Sequence, residues 1–218
     1  AAAAGYQTAR CWALARAAAE SAESDDDVPS GTGRLPALLA ALLAALVPLG
    51  AGYGTGAAGA AFVVVASVAG LLSVTVGRAT GATVAIAAVL PAAAASSIVL
   101  ALQVDLWAAL FLVLAVSLYD AGNFLLGSDA TGRWEGPVGG VLGVLAVTFT
   151  MSTIKVPPLD RPQWWVAGLV VAATCSVGQW VTSYFLPTPT SWVPALRRLD
   201  AYVVAGPLFV ATVWILGT

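Results

Sequence analysis

Apolar residues run along this chain in long blocks, separated by short stretches rich in glycine, proline or charge. Seven blocks stand out, at about 35–51, 56–77, 82–100, 105–126, 137–154, 164–186 and 200–217. A helix crossing hydrocarbon needs about 20 mostly apolar residues. Lipid offers no partner to backbone N–H and C=O groups, so each block must satisfy its own as a helix. The pattern therefore predicts an all-α fold, a polytopic membrane helix bundle with about seven transmembrane helices. The breaks agree with this. The first block passes Pro48 and runs into Gly50-Ala-Gly-Tyr-Gly-Thr-Gly56, too rich in glycine to continue a stiff helix. The later breaks fall at 77–81, 103–105, 127–136, 155–163 and 187–198, each marked by charge, proline or glycine.

Residues 1–34 follow another pattern and are read as a separate region from the transmembrane domain at 35–218. Helix formers run from about Tyr6 to Ser24, with Arg10, Arg16, Glu20 and Glu23 among them. Asp25-Asp26-Asp27, Pro29 and Ser30-Gly-Thr-Gly33 follow. This composition reads as a surface helix and a solvated acidic linker. The three aspartates also permit metal capture, although a bare run lacks the supporting shell that a site needs.

Composition narrows the chemistry. Of 218 residues, 60% are hydrophobic and only 9% charged, with a mean hydropathy of +0.91. A soluble domain carries about 25% charged residues. The net charge of −2 excludes the basic excess of a nucleic-acid binder. Histidine is absent, which removes His-based triads, His-ligated zinc and His-ligated haem. Cys11 lies in the leading region and Cys175 within an apolar block, so no bridge is expected between them. Any chemistry must use carboxylates, Arg, hydroxyls and a metal.

With seven spans, connections alternate sides. One side receives Arg10, Arg16, Arg34, Arg78, Arg133, Arg197 and Arg198, the other Lys155 and Arg161. This bias predicts a multi-pass protein of the cell membrane with a cytoplasmic N-terminus. Trp107, Trp164 and Trp165 at span ends, with Trp134 and Trp192 in loops, read as interfacial belts.

Polar residues gather at two places. The first is the end of the fourth block and its loop, with Asp120, Asn123, Arg133, Glu135 and Gly136. A carboxylate within an apolar run costs about 2.5–3.5 kcal/mol on insertion scales unless paired or wet. Asp120 is thus either functional or the partner of an Arg on a neighbouring helix. The second place joins the last two blocks, from Ser176-Val-Gly178-Gln179 through Leu196-Arg197-Arg198-Leu199-Asp200. Alternation puts both on the cytoplasmic side, where Asp120, Arg133, Glu135, Arg197, Arg198 and Asp200 are expected to meet. Carboxylates hold Mg²⁺, and Arg holds phosphate as a fork. Arg197 and Arg198 equally suit anchoring to anionic headgroups. Gly136, Gly139, Gly140 and Gly143 suit close helix packing, or close approach of a nucleotide or headgroup to bare backbone.

Asp120-Ala-Gly122, followed by Trp134-Glu135-Gly136-Pro-Val-Gly139-Gly140, resembles the phosphatidate cytidylyltransferase (CDP-diacylglycerol synthase) family. The resemblance extends in order through Ser176-Val-Gly178-Gln179, Leu196-Arg197-Arg198-Leu199-Asp200 and Gly206-Pro207, covering about residues 105–217. It implies membership of phospholipid biosynthesis as a transferase: CTP and phosphatidic acid give CDP-diacylglycerol and pyrophosphate, with Mg²⁺ as cofactor and membrane lipids as partners. It also implies Asp120, Glu135 and Asp200 as catalytic, with Asp120 and Asp200 holding the metal. Arg133, Arg198, Gly139 and Gly140 would bind substrate. The chain departs from the family pattern where Gln179 stands for an Asp, and Arg197-Arg198 for an Asp-Arg pair. The alternative implied is a catalytically inactive homologue, a structural or partner subunit of a membrane complex; for either reading the expected assembly is a homodimer or a hetero-oligomeric membrane complex. An ion-transport role for Asp120 would call for inverted repeats, and none is legible.

Overall fold

Each of the seven apolar blocks becomes a helix, and the chain adds one before them and a short one between the last two. The structure, a computed structural model, describes residues 1–23, 34–128, 132, 134–188 and 191–217. The helices are α1 (Ala2–Glu23), α2 (Arg34–Ala51), α3 (Thr55–Thr75), α4 (Arg78–Val104), α5 (Leu106–Gly127), α6 (Glu135–Ile154), α7 (Arg161–Tyr184), α8 (Pro194–Arg197) and α9 (Asp200–Leu216). No strand occurs among the described residues. α2 to α7 are long and apolar enough to cross a membrane, and α9 is a shorter apolar helix of 17 residues. The protein is thus a helical membrane bundle.

Local chemistry sets the helix ends. Gly77, at φ 138°, closes α3: its N–H and that of Val76 both reach the Leu72 carbonyl, at 3.1 and 2.9 Å. A left-handed residue just past a helix satisfies the last carbonyls, and glycine takes that conformation without a Cβ clash. Asp105 caps α5, its Oδ1 accepting from the Trp107 N–H at 2.7 Å. Lys155 closes α6 in the left-handed region at φ 54°, which costs a side-chain-bearing residue about 1 kcal/mol.

The chain divides into two compact units, Ala1–Ala95 with Val181–Leu199, and Ser96–Trp180 with Asp200–Thr218. α4 and α7 contribute residues to both. In the first unit the core is made of small residues: Ala37, Ala40, Ala87, Ala88 and Ala92 with Val47, Val65 and Val84. α1 begins at Ala2, four residues earlier than its composition suggests, and buries a face of Ala4, Thr8 and Ala9. The reason is Gly5, where a Cβ would stand 2.9 Å from the Ala40 carbonyl oxygen and 3.0 Å from that of Ala87. Its absence lets α1 press against α2 and α4. The acidic linker, with Asp25, Asp26 and Asp27, lies outside the described residues.

In the second unit the core is aromatic. Phe111 of α5 lies between Trp164 of α7 and Phe209 of α9, with ring centroids 4.9 and 5.3 Å away. Trp164 is therefore a core residue rather than a belt residue, fully buried with its indole N–H on the Val156 carbonyl at 2.9 Å. Successive residues of a helix point about 100° apart, so of the Trp164-Trp165 pair only Trp165 is left partly outside.

Candidate functional site

Several polar residues of the second unit collect at one end of it, where α5 finishes, α6 begins, α7 finishes and α9 begins. α5 and α6 set the frame. The four glycines of α6 recur at helical spacing and face α5. A Cβ on Gly139 would sit 2.5 Å from the Gly122 carbonyl oxygen, and one on Gly140 2.7 Å from the Tyr119 ring. One on Gly143 would sit 2.5 Å from the Leu118 carbonyl, and one on Gly136 2.5 Å from Asn123 Oδ1. Bare backbone thus brings two helices together along their length, the small-residue packing that lipid favours. Gly139 and Gly140 are buried in that contact.

This packing fixes the register of Tyr119, Asp120 and Asn123 on α5. Tyr119 is fully buried, its hydroxyl hydrogen-bonded to that of Ser176 on α7. One turn further along α7, Gln179 donates from Nε2 to Asp120 Oδ1 at 3.1 Å, while its Oε1 accepts from Asn123 Nδ2 at 3.4 Å. The amide therefore joins a carboxylate to a second amide across two helices. Among the described residues the partner of Asp120 is Gln179, an amide donor rather than an Arg.

Asp200 opens α9 and is buried. Its Oδ1 accepts from the Ala201 N–H at 2.7 Å, at the helix end where exposed amides favour negative charge. Gly178, next to Gln179, lets α9 approach: a Cβ there would stand 2.5 Å from the Asp200 carbonyl oxygen. Cys175, buried one turn before Gln179, lies within electrostatic range of both Asp120 and Asp200, as does Tyr119. The two carboxylates therefore flank the same turn and a half of α7, at one end of the unit.

Of the other sequence-derived positions, Glu135 stands at this same end of the unit. Glu135 starts α6 and is exposed, its Oε1 accepting from the Gly132 N–H at 2.9 Å, which folds the incoming loop onto the helix start. Arg133 lies outside the described residues. Arg197 and Arg198 belong to the first unit, where Arg197 Nη1 donates to Ser183 Oγ at 2.8 Å and Arg198 is exposed. The sequence reading passed over Tyr119, and named Asn123 and Cys175 without giving them a place in the site. The usable signal was periodicity: Tyr119 and Asn123 are four residues apart, and Ser176 and Gln179 three, so each pair shares a helix face.

Mg²⁺ suits some of these donors. It takes one or two protein carboxylates and completes its shell with water and substrate phosphate. Asp120 Oδ1 accepts from Gln179 and Asp200 Oδ1 from the Ala201 N–H. No group of three or more His, Cys, Asp or Glu side chains able to hold a metal occurs among the described residues. Two carboxylates are within the number that Mg²⁺ takes from a protein, and fewer than a preformed two-metal cage needs. Compared with protein-family models the chain matches none, and a search of curated proteins returns no match either.

Proposed function

We propose that this protein is a phosphatidate cytidylyltransferase-like membrane protein, acting on a phosphate-bearing lipid where α5, α7 and α9 meet. The observation that carries this reading is the bond from Gln179 to Asp120, with Gly178 packed against the start of α9. Three separate sequence segments, at Asp120, Gly178-Gln179 and Asp200, converge there, in the order that the family resemblance implies. In the reaction an oxygen of the phosphatidate phosphate forms a bond to the α-phosphorus of CTP. The bond from that phosphorus to the pyrophosphate oxygen breaks, and pyrophosphate leaves. Asp120 and Asp200 are the residues that would hold Mg²⁺, which supplies charge neutralisation for the crowded phosphates. Gln179 is a positioning residue that orients Asp120. Gly139 and Gly140 act by admitting α5, so that Asp120 keeps its height on the helix. Arg133, Glu135 and Arg198 remain the candidates for contact with substrate phosphates and loop ordering.

The test is direct. Purified full-length chain, given CTP, Mg²⁺ and phosphatidic acid in mixed micelles, is expected to form CDP-diacylglycerol and pyrophosphate. Asp120→Asn is expected to lower the rate by about 100-fold, the order seen when a charge-stabilising group is removed. Product formation equal in wild type, Asp120→Asn and Glu135→Gln would sink the reading.

One observation favours a second reading. An amide occupies position 179, where the family resemblance calls for a carboxylate. The protein is then a catalytically inactive homologue serving a membrane complex. This reading expects no product with wild type, and stable co-purification with another membrane protein.

A further inference from the structure

The first unit carries an apolar groove that the candidate site does not use. Ala85, Ile86, Val89 and Leu90 of α4 line it together with Phe185, just past the end of α7, and it encloses about 250 Å³. A lining without hydrogen-bonding side chains cannot orient a nucleotide or a sugar, and it suits hydrocarbon. A polar pair lies beside this lining, about one helical turn back along α4. Arg16 of α1, half-buried, reaches Thr83 of α4, Nη1 to Oγ1 at 3.2 Å. Thr83 is itself buried and stands one helical turn before Ile86 and two before Leu90. One turn before Arg16, Trp12 donates from its indole N–H to the Phe185 carbonyl at 3.1 Å. Trp12 and Arg16 share a face of α1. That face holds both walls of the groove, Phe185 through Trp12 and α4 through Arg16.

We propose that the first unit binds an anionic glycerophospholipid, with its phosphate on Arg16 and one acyl chain along Ala85, Ile86, Val89, Leu90 and Phe185. The argument is charge complementarity at a fixed depth. A guanidinium has five N–H donors in a planar fork, and the bond to Thr83 occupies one nitrogen. The rest of the fork suits phosphate oxygens, which arginine binds as a bidentate pair. An Arg held on Thr83, about one helical turn from a hydrocarbon-lined groove, matches the amphipathic sequence of a phospholipid, headgroup above chain. Trp12 belongs at the same level, since indoles settle where apolar body and polar N–H are both satisfied. This site is independent of Asp120 and Asp200 and does not rest on the proposed activity.

The experiment uses full-length protein in detergent and native mass spectrometry, with dioleoyl phosphatidylglycerol and dioleoyl phosphatidylcholine as probes. Phosphatidylglycerol is anionic yet carries no free phosphate monoester, so it reports this site apart from any phosphatidate site. Wild type is expected to retain phosphatidylglycerol with about tenfold tighter apparent binding than phosphatidylcholine, a difference of about 1.4 kcal/mol. Arg16→Gln should abolish that preference. Val89→Trp, which fills the groove and leaves Arg16 in place, should weaken retention of both lipids. Arg78→Gln alters an exposed arginine at the start of α4 and should change nothing. Inorganic phosphate at millimolar concentration should fail to displace the lipid. The proposal is overturned if Arg16→Gln binds like wild type, if Arg78→Gln loses as much as Arg16→Gln, or if inorganic phosphate alone competes.

Discussion

The two units reach stability by different means, and the difference separates packing from chemistry. The first is built around alanine and valine, with Gly5 and the small residues beside it letting helices lie close. The second is built around Phe111, Trp164 and Phe209, and it admits a line of polar side chains at one end. The buried hydroxyls of the alanine-lined unit, Thr8 and Thr83, donate to carbonyls of their own helices, Ala4 and Ala79. Aromatic spacers hold helices further apart. Tyr119, Asp120, Asn123, Ser176 and Gln179 can then meet between α5 and α7, just beyond the glycine seam that fixes α5 against α6. A site needs both devices, a rigid seam and a gap beside it.

Substitutions at glycine test this contrast most strongly. Gly139→Leu forces a side chain into the Gly122 carbonyl and is expected to cost about 3 kcal/mol or more, read as a loss of folded protein on denaturation in mixed micelles. Gly59 of α3 has nothing within 4 Å of its Cβ position, so Gly59→Ala should be neutral or gain up to about 1 kcal/mol from helix propensity. Equal losses at both positions would remove the distinction between seam and surface. Phe111→Ala is expected to cost about 3 kcal/mol as an aromatic core cavity, clearly more than Val65→Ala in the alanine-rich core. The same denaturation assay orders them.

Smaller effects sharpen the polar end. Gln179→Leu removes the donor to Asp120 and leaves a half-buried carboxylate short of a partner, at a cost of about 1–3 kcal/mol. Gln179→Glu would place two carboxylates together and should destabilise at neutral pH, recovering when Mg²⁺ is added if that pair holds the ion. Thermal unfolding with and without Mg²⁺ reads both. Last, Lys155→Gly relieves a left-handed backbone at the α6 end and should stabilise by about 1 kcal/mol. A loss there instead would mean that the lysine makes a contact worth more than its strain.

The sequence made the spans legible because hydrophobic run length carries that information directly. The helix ends follow the breaks marked by Gly77, Asp105 and Pro187 to within a few residues. α4 runs further than its most apolar stretch because Arg78 and Gln103 sit comfortably at helix ends. The convergence of Asp120 with Gln179 was readable as proximity at one end of the bundle, through alternation of the spans. The identity of Asp120's partner was not, since alternation gives the end of a helix and says nothing of its rotation. Rotation is set by contacts such as Gly139 on Gly122, which depend on both helices at once. Trp164 misled for the same reason: at a span end its height suits a belt, and only its direction makes it core. α1 was legible as a helix, while its buried face depended on the pocket that Gly5 finds between α2 and α4.

The brevity of α9 has a mechanical consequence. At 17 residues it rises about 26 Å, against a hydrocarbon slab of about 30 Å. Its neighbours α5 and α7, with 22 and 24 residues, are long enough to span that slab. A short segment crossing beside longer ones makes the bilayer dimple toward one of its ends. Asp200, a buried acid at the first position of α9, marks the end where such thinning is least costly. Headgroups sinking toward it would travel less far from their own leaflet to meet the acid.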